Sequence, residues 1–178
     1  MKPWKTISKD AILNTNKFLK IEKHAVQLPD GKVIPDWQYV ITPDFVSIVA
    51  LTKKGEFVVI KQYKYAVGEV TISPVGGYIE PGEEPLESAK RELREEAGYE
   101  SENWISLGKY VIDSNRGCGN AYLFLAKDAE QTCIPNSGDL EEQEILLLSR
   151  TEIDEIISEE KLKVIPWIAN FLLALRKI

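Results

Sequence analysis

Histidine and cysteine are scarce in this chain, which has one histidine and two cysteines among its 178 residues. Catalytic triads need an activating base, and zinc sites draw mainly on the same two residue types. His24 lies on an expected strand, so nucleophilic triads and zinc chemistry are nearly excluded. Cys118 and Cys133 lack the spacing of a disulfide framework, which predicts reduced thiols.

Long hydrophobic runs and excess positive charge are also missing. The longest apolar run, VIPWIANFLLAL from Val164 to Leu175, is too short to cross a bilayer and predicts a packed terminal helix. The start, MKPWKTISKD, lacks the apolar core of a signal peptide. Acids outnumber bases by 28 to 22, which disfavours nucleic acid and membrane surfaces as partners. We therefore expect a cytoplasmic protein that binds neither.

The segments that are present follow a recognisable order of strands and helices. FLKIEKHAVQ and VIPDWQYVI flank a Pro-Asp-Gly turn, and FVSIVALT and EFVVIKQYKY form a second hairpin pattern. EEPLESAKRELREEAG contains good helix formers and ends at Gly98. Strands near LGKYVI, NAYLFLA and EILLLS precede helices from about Thr151. This order predicts an α+β fold, a mixed α/β sandwich, and not an alternating doubly wound sheet.

Acidic residues are concentrated on the first of these helices. At about 100° per residue on an α-helix, Glu92, Glu95 and Glu96 lie on one stripe. The apolar positions between Leu86 and Ala97 share a neighbouring face. The like charges repel one another, and a divalent cation would offset that repulsion with the oxygen ligands it prefers. A solvated charged surface is the alternative interpretation.

The spacing of the acids matches a known motif. From Gly77 to Tyr99 the chain reads G-x5-E-x7-R-E-U-x-E-E-x-G-U, where U is a bulky apolar residue. This segment resembles the Nudix box at eight fixed positions, with Tyr99 in the looser last place. The resemblance implies an α/β/α sandwich, a loop–helix–loop metal site, and hydrolysis of a nucleoside diphosphate linked to another moiety.

The resemblance also implies roles for individual residues of the box. The carboxylates that bind divalent cations in the family fall here on Glu92, Glu95 and Glu96. Glu96 also belongs to the expected catalytic set, and the backbone carbonyl of Gly76 is a further expected ligand. Arg91 and Glu83 match a pair that braces the loop against the helix, because the arginine fork holds a carboxylate at two points. The expected cofactor is Mg²⁺, with Mn²⁺ as a substitute.

A general base is expected outside the box, in the stretch SGDLEEQEILLL. Nudix enzymes of the ADP-ribose group often take this base from a glutamate on a mobile loop, and acids before a strand suit such an arm. Glu141, Glu142 and Glu144 all remain candidates. Glu142 is favoured and Glu144 is second, because this run is similar to the acidic pair before that strand in ADP-ribose pyrophosphatases. A solvated loop is the alternative.

Stretches outside the box resemble ADP-ribose and nucleotide-sugar pyrophosphatases, whose amino-terminal hairpin sheet commonly reaches a second subunit. We therefore expect an amino-terminal antiparallel β-hairpin subdomain over residues 1–42, a Nudix domain over residues 43–178, and a homodimer. The residues expected to contact the small-molecule nucleotide substrate are Trp37 and Tyr39 at a base, and Lys64 and Arg116 at phosphate or ribose. The alternative role of Trp37 and Tyr39 is packing. The alternative for Lys64 and Arg116 is a place on the solvated surface.

Departures from the group leave the substrate open. Lys64 stands where relatives that cleave ADP-ribose usually have arginine, and lysine lacks the bidentate fork. SPVGG replaces the usual Glu-Leu-Pro-Ala-Gly, and Ser114 replaces a common proline. The expected reaction is Mg²⁺-dependent cleavage of ADP-ribose or a related nucleotide-sugar to a nucleoside monophosphate and a sugar phosphate. Alternatives are a housekeeping enzyme for oxidised or dinucleoside nucleotides, and then a non-catalytic nucleotide-sugar-binding regulator.

Overall fold

The computed structural model describes residues 1–136, 138 and 142–178 and divides the chain into two compact units. The first unit contains Met1–Asp44 and Tyr110–Asn120, and the second contains Phe45–Lys109 and Ala121–Ile178. Glu141, one of the candidate bases, lies outside the described residues. Dimerisation through the first 42 residues stays a prediction.

The first unit is built on three antiparallel strands: β1 (Lys5–Asn16), β2 (Leu19–Gln27) and β3 (Val33–Ile41). The predicted hairpin is confirmed, since the chain turns between β2 and β3 with Gly31 N–H bonded to Leu28 O at 2.9 Å. β1 is a strand that the sequence pattern did not reveal. All twelve of its residues are exposed, and its pairing with β2 shifts register three times, so no steady alternation of apolar and polar residues marks it.

The second unit contains the other strands: β4 (Phe45–Thr52), β5 (Phe57–Lys64), β6 (Glu69–Ser73), β7 (Val75–Tyr78), β8 (Tyr99–Glu100), most of β9 (Asn103–Asp113), most of β10 (Gly117–Gln131) and β11 (Gln143–Leu148). β4 pairs parallel with β10 and antiparallel with β5 and β7. β5 pairs with β6 and with β11. The second predicted hairpin and the three later strands are confirmed.

Three helices complete the second unit: α1 (Pro85–Glu92), α2 (Arg150–Ser158) and α3 (Ile165–Leu175). Leu93–Ala97 continue α1 as a π-helical turn, and Gly98 ends it in the left-handed conformation at φ 75°. A capping box between Ser149 and Glu152 starts α2. The predicted helices are confirmed, but the last turn of the first one is π and not α. No helix in the described part of the chain is long and apolar enough to span a membrane.

Two hydrophobic clusters lie on opposite faces of the sheet in the second unit. Val58 and Ile60 of β5 join a cluster that includes Leu93 of the π turn. The alternate residues Phe57 and Val59 join a cluster with helices α2 and α3. Successive strand residues point to opposite faces, so the helices cover both sides of the sheet. This arrangement confirms the predicted α+β sandwich and places α1 alone on the face that carries the box.

Candidate metal-binding active site

The three box carboxylates do not share one environment. Glu92 and Glu96 are each only 7% exposed, whereas the Glu95 side chain is 47% exposed. The Gly98 N–H bonds to Arg94 O at 2.9 Å and also to Leu93 O, five residues back. The backbone from Leu93 to Ala97 is π-helical just where Glu95 and Glu96 lie. The expectation of a single stripe assumed an α-helix throughout. The π turn changes the angular spacing after Glu92, and such turns occur often at functional sites.

The Glu92 carboxylate lies directly against the backbone of β7. A Cβ atom added at Gly77 would lie 2.4 Å from the carboxylate carbon and from both of its oxygens. Only glycine leaves room for the acid in this position, which is a tighter requirement than a turn glycine has. The contact brings the Glu92 oxygens to the residue next to Gly76, whose carbonyl is an expected ligand.

Gly77→Ala is expected to displace the Glu92 carboxylate and to weaken Mn²⁺ binding about 10- to 100-fold, the loss typical when a ligand loses its orientation. The three atoms nearest to the added methyl group all belong to the end of the Glu92 side chain, so the melting temperature should change little. Calorimetric titration with Mn²⁺ and thermal unfolding measure the two effects. Gly55→Ala is a poor control because of its positive φ, whereas Ser106→Ala, at an exposed position, is suitable. Unchanged Mn²⁺ affinity would contradict the expected role of Glu92.

Arg91 and Glu83 form a two-point ion pair. Arg91 Nε donates to Glu83 Oε1 at 2.9 Å, and Nη2 donates to Oε2 at 3.0 Å. The Arg91 guanidinium, together with the Glu80 backbone N–H at 3.1 Å, lowers the pKa of the Glu83 carboxyl to about 2. The same pair raises the pKa of Arg91 above its ordinary value. The loop before α1 is therefore tied to the helix by charge-assisted hydrogen bonds.

The same guanidinium also contacts other acids and the backbone of β7. Nη1 donates to Glu92 Oε1 at 2.8 Å and to Glu95 Oε2 at 3.1 Å. Nη2 reaches the Tyr78 carbonyl at 3.1 Å and Ser88 Oγ at 3.2 Å. One side chain thus connects β7, the loop, α1 and the π turn that follows it. A lysine could not make this set of contacts, because it lacks the planar fork.

The donors expected to bind a cation suit a hard divalent one. They are carboxylate oxygens and a backbone carbonyl: Glu92, Glu95, Glu96 and Gly76. Three acids, Glu83, Glu92 and Glu95, pair with the single guanidinium of Arg91, so negative charge is in excess. Oxygen ligands with excess negative charge fit Mg²⁺ or Mn²⁺ better than a softer ion. Among the described residues, no group of three or more acids, histidines or cysteines already converges as a formed metal centre.

The start of β11 lies beside Glu96. Gln143 Nε2 donates to Glu96 Oε2 at 3.0 Å. Glu144 is on the opposite face of the strand, where it pairs with Lys61 at 3.0 Å and is 60% exposed. Glu142 is exposed and immediately precedes β11. The sequence analysis did not identify Gln143. Successive residues of a strand point to opposite faces, so Gln143 lies on the face opposite to that of Glu142 and Glu144.

Two of the expected substrate residues line one cavity of the first unit. This cavity of about 420 Å³ is lined by Ile34, Asp36, Trp37, Gln38, Asp113, Asn115 and Arg116. Trp37 Nε1 donates to the Asn115 carbonyl at 2.9 Å, which fixes its ring. The Asn115 and Arg116 N–H groups donate to the Asp113 carboxylate and lower its pKa. The cavity thus combines an aromatic face with groups of both charges.

Tyr39 and Lys64 occupy other places. The Tyr39 ring stacks on His24 with centroids 5.0 Å apart, and its hydroxyl end lies against Gly117, where a Cβ atom would be 2.6 Å from the oxygen. This is the packing role given above as the alternative for Tyr39. Lys64 ends β5 in the second unit and is partly buried.

The only histidine belongs to a buried polar group of the first unit. His24 Nε2 lies 2.8 Å from Glu22 Oε2, and Lys20 Nζ lies 2.5 Å from the other oxygen. Lys20 first, and then His24, lower the pKa of the Glu22 carboxyl to about 2. This network satisfies a buried acid within the sheet of β2 and β3, and it suits the structural role predicted for His24.

Comparisons with known proteins agree with this geometry. The model of the NUDIX domain family matches residues 42–171. ADP-ribose pyrophosphatase of Bacillus subtilis (strain 168) is 28% identical over 161 residues, covering 90% of this chain and 82% of that protein. The methanol dehydrogenase activator of Bacillus methanolicus is 29% identical, covering 89% of this chain and 84% of that protein. A crystal structure of an ADP compounds hydrolase has the same fold, with a TM-score of 0.83, 15% identity, and coverage of 99% of this chain and 94% of that one. Because the family model spans most of the sequence, this protein belongs to the NUDIX domain family and is a hydrolase of that family, as its box predicts.

Proposed function

We propose that the protein cleaves the diphosphate bond of a nucleoside diphosphate linked to a sugar, namely ADP-ribose or a related nucleotide-sugar. The products are a nucleoside monophosphate and a sugar phosphate, and the cofactor is Mg²⁺, for which Mn²⁺ substitutes. One observation carries the proposal. The acids Glu92 and Glu96 are buried on a helix end that Arg91 holds in place. The similarity to an ADP-ribose pyrophosphatase over 90% of the chain supports the substrate class.

The residues of the box would hold the cofactor. Glu92, Glu95 and Glu96, with the Gly76 carbonyl, would supply the ligands. When bound, a divalent cation polarises the phosphoryl oxygens and lowers the pKa of a bound water. Arg91 maintains the positions of Glu92 and Glu95 through its hydrogen bonds at 2.8 and 3.1 Å. Burial of Glu92 and Glu96 excludes water, which strengthens their attraction to a cation.

Glu142 is the proposed general base, which takes the proton of the attacking water. The residue after it, Gln143, reaches Glu96, so the chain passes close to the ligand set at this point. Glu144 is engaged with Lys61 on the other face of β11, which makes it the second candidate. A carboxylate within hydrogen-bond reach of the attacking water could act as its general base.

We further propose that the cavity around Trp37 receives the nucleoside. A volume of about 420 Å³ with one aromatic wall and several polar groups is typical of sites for small ligands. Arg116 supplies positive charge at its edge, and the side-chain amides of Asn115 and Gln38 would serve the base or the ribose. Stacking on tryptophan would hold the base without specifying every one of its atoms.

Trp37→Ala is expected to raise KM for a nucleotide-sugar about 5- to 100-fold, because stacking of a base on an aromatic ring contributes about 1–3 kcal/mol. The turnover number should change little, since the metal ligands are unaltered. Trp37→Phe keeps an aromatic face but loses the hydrogen bond to Asn115, so it should retain most of the affinity. Equal KM values for both variants would show that packing, and not stacking, is the role of Trp37.

The first unit is also the proposed dimer interface, and the location is proposed to be cytoplasmic. β1 pairs only with β2 among the described residues and is exposed along its whole length. Trp4, Ile7 and Ile12 are each more than half exposed, and an exposed edge strand with apolar side chains is a template for pairing. Both cysteines are free, which suits a reducing compartment. Light scattering coupled to gel filtration measures the oligomeric state.

The experiment that tests the function is a substrate panel assayed with Mg²⁺ and with Mn²⁺. It contains ADP-ribose, several nucleotide-sugars, a dinucleoside polyphosphate and an oxidised nucleoside triphosphate. Nucleoside monophosphate released fastest from ADP-ribose or a nucleotide-sugar is the expected result. Fastest cleavage of the other two would favour the housekeeping alternative. Binding of a nucleotide-sugar without cleavage would favour a regulator, which disagrees with the intact set of box acids.

A further inference from the structure

We propose that Gln143 is a positioning residue that orients the carboxylate of Glu96. This inference rests on the proposed function, because it takes Glu96 as a ligand of the divalent cation. Gln143 Nε2 donates to Glu96 Oε2 at 3.0 Å. A carboxylate with one oxygen engaged by an amide presents its other oxygen in a defined direction, which is how residues behind the ligands control a metal site.

The chemistry of the amide explains why a glutamine suits this position. Arg91 already contacts Glu92 and Glu95 with a full positive charge. A second cation beside Glu96 would offset the negative charge that binds the metal ion. The neutral amide of Gln143 donates a hydrogen bond without that cost, and it leaves Glu96 as an ionised ligand. The flanking residues Glu142 and Glu144 carry carboxylates, which accept hydrogen bonds and do not donate them. Neither could therefore donate a hydrogen bond to Glu96.

The neighbouring strand directs the Gln143 side chain toward Glu96. Gln143 pairs with Gln62 in the antiparallel register of β11 and β5, so their side chains share one face of the sheet. The next pair, Glu144 and Lys61, forms its ion pair on the other face. Gln62 is only 6% exposed and donates to Ser73 Oγ at 2.9 Å. The strand pairing therefore fixes which of three consecutive polar residues reaches the metal ligand.

The contact also bears on the placement of the proposed base. Gln143 is the first residue of β11, and Glu142 directly precedes it. Anchoring Gln143 on Glu96 thus holds the backbone next to Glu142 close to the proposed ligands. Loss of the contact should affect both the affinity for the cation and the placement of the base.

The decisive experiment is calorimetric titration of the full chain with Mn²⁺ alone, without substrate. Gln143→Leu removes the donor at similar side-chain size and should weaken Mn²⁺ binding about 10- to 100-fold. Gln131→Leu is the matched control, since Gln131 is an exposed glutamine at the end of β10; its Mn²⁺ affinity should equal that of the unchanged protein. Thermal unfolding shows that each variant is folded.

Gln143→Asn gives a readout that a merely structural role would not change. It keeps an amide donor on a shorter side chain, so it should recover part of the Mn²⁺ affinity that Gln143→Leu loses, because the hydrogen bond to Glu96 can still form. Unchanged affinity in Gln143→Leu, or an affinity in Gln143→Asn no higher than in Gln143→Leu, would overturn the inference. An unchanged protein that binds no Mn²⁺ would instead overturn the proposed function.

Discussion

Glu96→Gln is expected to lower turnover about 100- to 1000-fold, because it removes an ionised ligand from a cation that contributes several kcal/mol to the reaction. The side chain keeps its size and deletes no atom of the hydrophobic clusters, so the free energy of unfolding should stay close to that of the unchanged protein. The new amide turns its oxygen toward Gln143 and preserves the contact now made by Glu96 Oε2. Steady-state kinetics measures turnover, Mn²⁺ titration measures the loss of a ligand, and urea unfolding measures the free energy of unfolding.

Glu142→Gln is the comparison that separates ligand from base. It should lower turnover about 100- to 10,000-fold, the usual contribution of general acid–base catalysis, while Mn²⁺ affinity stays unchanged. Parallel losses of turnover and affinity in Glu142→Gln would make Glu142 a ligand. Full activity in Glu96→Gln would place the metal site elsewhere in the chain.

Arg91→Lys is expected to lower the free energy of unfolding by about 1–3 kcal/mol at pH 7. The value lies below the cost of breaking a fully buried ion pair, because the Arg91 and Glu83 side chains are 26% and 18% exposed. Lysine keeps the charge but cannot make the two hydrogen bonds to Glu83 together with those to Glu92 and Glu95. Turnover should fall as well, since Glu92 and Glu95, two of the proposed metal ligands, lose a fixed partner. Urea unfolding and steady-state kinetics measure both effects.

The pH dependence of this effect has a defined sign. Arg91 lowers the pKa of the Glu83 carboxyl from 4.5 to about 2 in the folded protein. The stability that the pair contributes is therefore fully present above pH 4.5 and is lost as the pH falls toward 2. The difference in unfolding free energy between the unchanged protein and Arg91→Lys should be largest at pH 7 and shrink across this window.

Arg150→Lys serves as the matched control for the arginine substitution. Arg150 pairs with Asp154 four residues later on α2, and both side chains are about half exposed. Exposed helix pairs contribute only about 0.3–0.5 kcal/mol, so this variant should unfold almost like the unchanged protein. Equal destabilisation by Arg150→Lys and Arg91→Lys would contradict the bracing role of Arg91.

The local features of the box were predictable because they depend on residues close in the chain. The start of the helix near Pro85, its end at Gly98 and the contact between Arg91 and Glu83 all lie within one short segment. The π turn was not predictable from the same residues. Good helix formers allow either hydrogen-bonding pattern, and the choice depends on how Leu93 and Ala97 pack into the cluster beneath them.

Strand pairings and cavities that join distant segments of the chain could not be predicted from the sequence. β1 has no apolar periodicity, since all of its residues are exposed, so only its pairing with β2 identifies it as a strand. The hairpin end at residues 110–120 belongs to the first unit, although nothing in its composition separates it from the rest of β9 and β10. Arg116 and Trp37 therefore line one cavity, although the sequence analysis predicted them as two separate substrate contacts.

The sequence by itself determined the family, the sandwich fold and the acids expected to bind a cation, because the spacing along one helix controls which side chains are neighbours. Tertiary structure alone decided which residue donates a hydrogen bond to Glu96. Gln143 is 47 residues away in the chain, and it arrives there only because β11 pairs with β5 in one register. A shift of that register by one residue would turn Gln143 to the opposite face, and no local pattern in the sequence specifies that register.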